Sequence, residues 1–243
     1  MTSSRLPCLW SVALAGMLVT AARAAPPTPV VPPDEKVDGL AQRDYAVRWW
    51  QWANRVPPGV RPFQDPTGAQ CGLNQSGEVW FLAGTDGTGD IRRHCRMPAG
   101  KYVFMPIINM LTHSLPGKPI TCGQARATVA ANNDHLGSVS ITIDGQEVPH
   151  IERFRQSTPR CFDAFPVAPY LDRAKSWFPA ATDGYWLMLR PLPVGVHVIS
   201  VRATYDNPGS AFGDLEQVFE YQLQVEEPPE APAPQRNAND LYT

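Results

Sequence analysis

The stretch Ser138-Val139-Ser140-Ile141-Thr142-Ile143-Asp144-Gly145-Gln146 decides the fold class. Val139, Ile141 and Ile143 alternate with Ser138, Ser140 and Thr142, the period-two pattern of a strand with one apolar and one polar face. Asp144-Gly145 then suits a type I′ hairpin turn, and Gln146 to Glu152 reads as the return strand. The pattern extends outward. In Gln217 to Val225, Phe219, Tyr221, Leu223 and Val225 alternate with Glu220, Gln222 and Gln224. Tyr185 to Leu189 and Val196 to Ala203 are further strands, and His197 shares parity with Ile199 and Val201, which predicts a buried, hydrogen-bonded histidine. Val79 to Leu82 and Tyr102 to Met105 are apolar throughout, as central strands covered on both faces are. About seven short strands divided by turn signals predict a mainly β chain: an antiparallel β-sandwich, jelly-roll or immunoglobulin-like, with a closed barrel as the alternative.

Helices are confined to the amino terminus and a long connection. Tyr45, Trp49, Trp52 and Val56 recur at helical spacing, predicting a helix over Val37 to Arg55 that ends at Pro57-Pro58-Gly59. That stripe takes Trp49 and Trp52 into the core and leaves Trp50 about a hundred degrees away as a candidate contact residue. Thr121 and Gln124 have the spacing of a capping box, so a second helix starts there and runs to about Asn132. A short helical turn is expected over Leu171 to Trp177.

Arg5, the uncharged run Leu9 to Val19 and the small-x-small segment Ala22-Arg23-Ala24 form an export signal, residues 1–24, that is too short to span a bilayer. Cys8 leaves with it, and no transmembrane span is expected in the mature chain. Residues 25–35 are a proline-rich spacer, 36–225 a single domain, and 226–243 a disordered tail. Export places the mature chain in the periplasm or outside the cell, where Cys71, Cys95, Cys122 and Cys161 pair. Four cysteines allow three pairings, and spacing alone does not choose among them. Cys71–Cys95 with Cys122–Cys161 is favoured because each bridge then ties a separate stretch; such closures stabilise by roughly 3.5 and 4 kcal/mol in the loop-entropy account. No C-x-x-C or H-x-x-x-H spacing supports a metal site instead.

Loss of Arg5 and Arg23 takes the 21 basic residues to 19 against 23 acidic ones, a net charge of −4. That balance argues against a nucleic-acid partner and against a polybasic membrane binder. The loop Gly84 to Asp90 fails as a phosphate cradle because Arg92 stands where the last glycine of G-x-G-x-x-G belongs. Asp86 and Asp90 are the weak calcium candidates, lacking the regular D-x-D-x-D-G ladder. Arg92, Arg93, His94 and Arg96 form the densest basic cluster. Held beside Cys95 by a disulfide, the three arginines would make a rigid array for a carboxylate or an acidic polysaccharide.

Cys71-Gly72, Gly77-Glu78-Val79-Trp80-Phe81-Leu82-Ala83-Gly84, Cys95, Pro98-Ala99-Gly100-Lys101, Phe104 and Pro106 to Asn109 resemble a family of secreted bacterial proteins with no established activity. Asp183-Gly184-Tyr185-Trp186 and Leu192-Pro193-Val194-Gly195-Val196-His197 are similar to its carboxy-terminal half. The resemblance covers most of the predicted domain. It implies a bacterial secreted sandwich and carries over no catalytic residue; it also supports pairing Cys71 with Cys95, which flank the shared motif. The sequence therefore leads to a non-enzymatic exported module without a cofactor, binding an extracellular glycan, an acidic ligand or an envelope protein through Trp50 or the arginines. The alternative is an extracellular hydrolase whose site assembles Asp86, Asp90, His113 and Asp163.

Overall fold

The computed structural model describes residues 28–87, 89–172, 175–209 and 213–227. The export signal lies outside them, as does the expected tail beyond residue 227. Among the described residues nine strands form two sheets: β1 (Val79–Phe81), β2 (Asp90–Pro98), β3 (Tyr102–His113), β4 (Leu136–Ile143), β5 (Gln146–Glu147), β6 (Arg155–Ser157), β7 (Ala180–Leu189), β8 (Gly195–Tyr205) and β9 (Leu215–Glu226). The order is β1-β3-β7-β6 in one sheet and β2-β9-β8-β4-β5 in the other. Each sheet is mixed. β1 runs parallel to β3 and β2 parallel to β9, while the other pairs are antiparallel. This corrects the wholly antiparallel expectation: β1 and β3 are separated along the chain by β2 of the other sheet, and β2 and β9 by every strand from β3 to β8, so neither parallel pair is closed by a tight hairpin.

The sheets share one core. Met105, Ile107, Leu187 and Leu189 of the four-stranded sheet pack with Ile141, Ile199, Phe219 and Leu223 of the other. The outer side of the four-stranded sheet carries a second cluster, in which Phe104, Trp186 and Met188 meet Tyr45, Trp49 and Trp52 of helix α1 (Gln42–Ala53). Burial on both sides explains the unbroken apolar runs of β3 and β7. The five-stranded sheet keeps an open outer face, so β8 and β9 alternate.

α1 begins at Gln42 rather than Val37 because Asp38 and Gly39 turn at positive φ just upstream. Helix α2 (Cys122–Asn133) starts on the predicted capping box, with Thr121 and Gln124 bonding each other's backbone amides. The Asp144-Gly145 turn has both residues at positive φ. Its return strand is only two residues long; residues 148–150 are irregular, and a 3₁₀ turn over Ile151–Phe154 follows. No described residue of the predicted Leu171–Trp177 turn is helical; residues 173–174 lie outside the described set.

Disulfides join Cys71 to Cys95 and Cys122 to Cys161. The expected spacer needs correction. Val31 is fully buried and bonds the Met188 carbonyl through its amide, Val30 bridges to Leu189, and Arg190 donates to the Pro29 carbonyl. Two valines among the prolines give this segment apolar area to bury, and it docks along β7.

Candidate ligand-binding site

The basic cluster lies on a strand, and strand geometry divides it. Arg92, His94 and Arg96 are exposed, whereas Arg93 points inward and is 1% exposed. Its Nε donates to the Asp65 carbonyl, Nη1 donates to the Ala83 and Gly84 carbonyls and to the Tyr221 hydroxyl, and Nη2 donates to the Phe63 carbonyl. The guanidinium lies 5.4 Å from the Tyr221 ring centre. Arg93 is thus a buried tie among three chain segments, and the expected three-arginine array does not form. Asp65, close by, accepts bonds from the Thr67, Gly68 and Gln70 amides and the Thr67 hydroxyl. Burial pushes its carboxyl pKa up, but these donors outweigh it and leave the value below the ordinary one.

Arg92 and Arg96 remain on β2, an edge strand of its sheet. Arg96 pairs with Glu226 at 3.2 Å, and Arg92 stands in register with Glu220. Charged side chains on an edge discourage pairing with other chains, which accounts for them without a ligand.

Trp50 has a different setting. β1 is in register with β3 only as far as Phe104, so β3 beyond that point has no strand on this side. The chain crosses to the other sheet there, through Gly84, Thr85 and Asp86. A register shift between Pro106 and Ile108 buries both Ile107 and Ile108 in the shared core and reverses the alternation beyond them. Asn109 and Leu111 consequently take the parity of Phe104, on the side of α1. Between these elements is a cavity of about 260 Å³, walled by Trp49, Trp50, Phe63, Met110, Leu111 and Leu215, with Asn109, Gln217, Thr85 and Asp86 as its polar residues.

The walls are held in place. Trp50 Nε1 donates to Thr182 Oγ1 at 2.8 Å, and that hydroxyl donates to the Met110 carbonyl at 2.7 Å. Trp50 meets Trp49 edge-on at 4.9 Å and Phe63 at 6.1 Å between ring centres. Asn109 pairs with Gly184, where a Cβ would come within 2.4 Å of the Asn109 Cβ; only glycine admits the asparagine there. Gln217 Oε1 accepts the Thr85 amide, and Thr85 Oγ1 accepts the Gly87 amide. Asn109 Nδ2 is the exception, buried with no hydrogen-bond partner.

The hydrolase candidates are engaged in local structure. His113 Nδ1 bonds the Ser114 carbonyl, its ring packs on Phe165 and Trp177, and burial lowers its pKa. Asp163 accepts the Phe165 amide in its own turn. Asp86 lies at the cavity and Asp90 opens β2; among the described residues no group of three or more His, Cys, Asp or Glu side chains is placed to hold a metal ion. His197 is bonded as expected, to Asp144 at 2.7 Å and to the Pro193 carbonyl at 2.9 Å. A wider hollow of about 500 Å³ beside the Cys71–Cys95 bridge is lined by His94, Arg96, Gln222 and Gln224, and none of its lining groups is a buried, unpartnered polar atom. Another of about 370 Å³ holds the unpartnered Trp177 Nε1, and its rim adjoins residues outside the described set.

Phe63, Asn109 and Gln217 escaped the sequence reading. Asn109 alone left a trace, as a polar residue ending the apolar run Tyr102 to Ile108. No family model, curated protein or solved structure matches the chain.

Proposed function

We propose that this protein is an exported binding module that holds a small neutral ligand, such as one unit of a glycan, in the cavity beside Trp50. The supporting observation is the Asn109 amide: a donor buried without a partner in a recess whose other walls are aromatic and aliphatic. Binding sites combine such apolar walls with a few placed polar groups. Aromatic rings offer flat, rigid faces to a sugar-like ring. The two disulfides fit an oxidising compartment, periplasmic or extracellular, and no described helix is long and apolar enough to cross a membrane. The acidic-ligand reading loses its main support with Arg93 turned inward.

A screen of neutral sugars and small cyclic compounds, read by tryptophan fluorescence, tests the proposal. At least one compound should bind, and Trp50→Ala should weaken it by about tenfold or more while the fold stays intact, a size typical of a buried aromatic contact. Binding that ignores Trp50→Ala but fails in Arg92→Ala/Arg96→Ala would move the site to β2. Turnover abolished by His113→Ala would favour the hydrolase.

A further inference from the structure

The cavity beside Trp50 constrains the chemistry of its occupant, an inference that rests on the binding reading above. Its volume of about 260 Å³ lies below the usual range for drug-sized ligands, about 300–1,000 Å³, and suits a single ring rather than a chain of rings. Among the described residues its lining contains no Lys, Arg or His, and the one charged residue there is the acidic Asp86. An anion would enter without a counter-charge, so the occupant is not anionic.

Its polar inventory is one-sided. Trp50 Nε1 is bonded to Thr182, Gln217 Oε1 to the Thr85 amide, and Thr85 Oγ1 to the Gly87 amide. Asn109 is 8% exposed, and its Nδ2 has no acceptor. That donor is already out of contact with water, so a hydrocarbon filling the cavity would leave it unpaired. A ring with an ether, carbonyl or hydroxyl oxygen facing Asn109 would pair it. The asymmetry is large, because an orphaned buried donor loses far more than an ordinary hydrogen bond gains. Sites with such buried polar groups discriminate strongly against analogues that lack the matching atom.

We infer that the cavity selects a single uncharged ring bearing a hydrogen-bond acceptor, and that Asn109 is the residue that sets this selectivity. A pyranose terminus and a small lactone share that chemistry.

Tetrahydropyran and cyclohexane make the test, being rings of one size that differ by one acceptor oxygen. Affinities of both are measured by NMR titration on the full mature protein, following the Trp50 Nε1–H and Asn109 side-chain resonances, and repeated on Asn109→Leu. Water favours transfer of the hydrocarbon, so the informative quantity is the ratio of the two affinities in each protein. On replacing Asn109 by leucine the ratio should move at least about tenfold towards cyclohexane, since the orphaned donor is gone. Asn109→Asp, which keeps the shape and removes the donor, should also cost tetrahydropyran about tenfold or more, and it decides the matter if the leucine variant fails to fold. A ratio that changes less than twofold while both rings shift Trp50 Nε1–H would overturn the selectivity and leave the cavity a binding site. If neither ring, nor a pyranoside run beside them, perturbs Trp50 in the parent protein, the binding reading itself fails. Comparing methyl glucoside with a five- or six-membered lactone then separates the two sources of the ligand.

Discussion

The two sheets receive unequal treatment from the rest of the chain. The four-stranded sheet is covered twice, by the other sheet within and by α1 with Val31 without, and every residue of β7 is buried. The five-stranded sheet turns one face to water, where Arg92, His94 and Arg96 alternate with buried Arg93, Cys95 and Met97. The exposed face attracts attention in the sequence because its charges cluster. The covered sheet holds the recess, at the place where β1 is too short to flank β3 and a bulge turns Asn109 outward from the shared core. A dense run of charge therefore marks a solvated strand, while the unpaired Asn109 donor lies where an apolar layer is interrupted.

The largest expected contrast is within β2. Arg93→Met leaves the Phe63, Asp65, Ala83 and Gly84 carbonyls and the Tyr221 hydroxyl without this donor and should lower unfolding stability by about 3 kcal/mol or more, given about 1–3 kcal/mol for each buried group left unpaired. Urea denaturation measures it; a loss below about 1 kcal/mol would mean that water or repacking replaces the guanidinium. Next comes Gly184→Ala. Its Cβ would meet the Asn109 Cα at 2.7 Å and the Ile108 carbonyl oxygen at 2.9 Å, so a loss of about 1–3 kcal/mol is expected, together with weaker binding in the cavity.

Acid distinguishes two buried carboxylates by sign. Asp65 has a folded pKa below the ordinary 3.8, so its contribution is present above that value and disappears as pH falls through the folded pKa. Asp183 is raised, by burial first, although Arg155 binds both its oxygens and draws it down in part. Its effect is opposite: stability from this group declines as pH rises from the ordinary value through the raised one. The pH profile of the urea midpoint should lose its acid-side decline in Asp65→Asn and lose an opposing slope in Asp183→Asn. Matching slopes in the two variants would contradict the assignment. The smallest effect belongs to Arg92→Ala/Arg96→Ala, within about 0.5 kcal/mol for each exposed site.

Much of the fold was legible in the residues. Alternation identified β4, β8 and β9, the Thr121–Gln124 box placed the start of α2, and helical spacing separated Trp50 from Trp49 and Trp52. Periodicity is a local property, and each of these elements obeys it. The mixed sheets were not legible, because strand direction follows from where the connections run, and Ile91 to Met97 hid its strand behind charges on the open face. Arg93 misled for the same reason: its partners are mostly backbone carbonyls contributed by Phe63, Asp65, Ala83 and Gly84, which no side-chain pattern announces. The recess depends on Trp50, Phe63, Asn109 and Gln217, which are scattered along the chain and meet only after the bulge between Pro106 and Ile108.

The direct measurement is a map of ligand-induced NMR shifts on the protein in the presence of a saturating neutral cyclic ether or pyranoside. The largest changes should fall on the Asn109 side-chain amide and the Trp50 indole N–H, with the backbone of Thr85 and Gln217 following. Changes centred on Arg92, His94 and Arg96, with Asn109 and Trp50 silent, would contradict this and return the site to the open face.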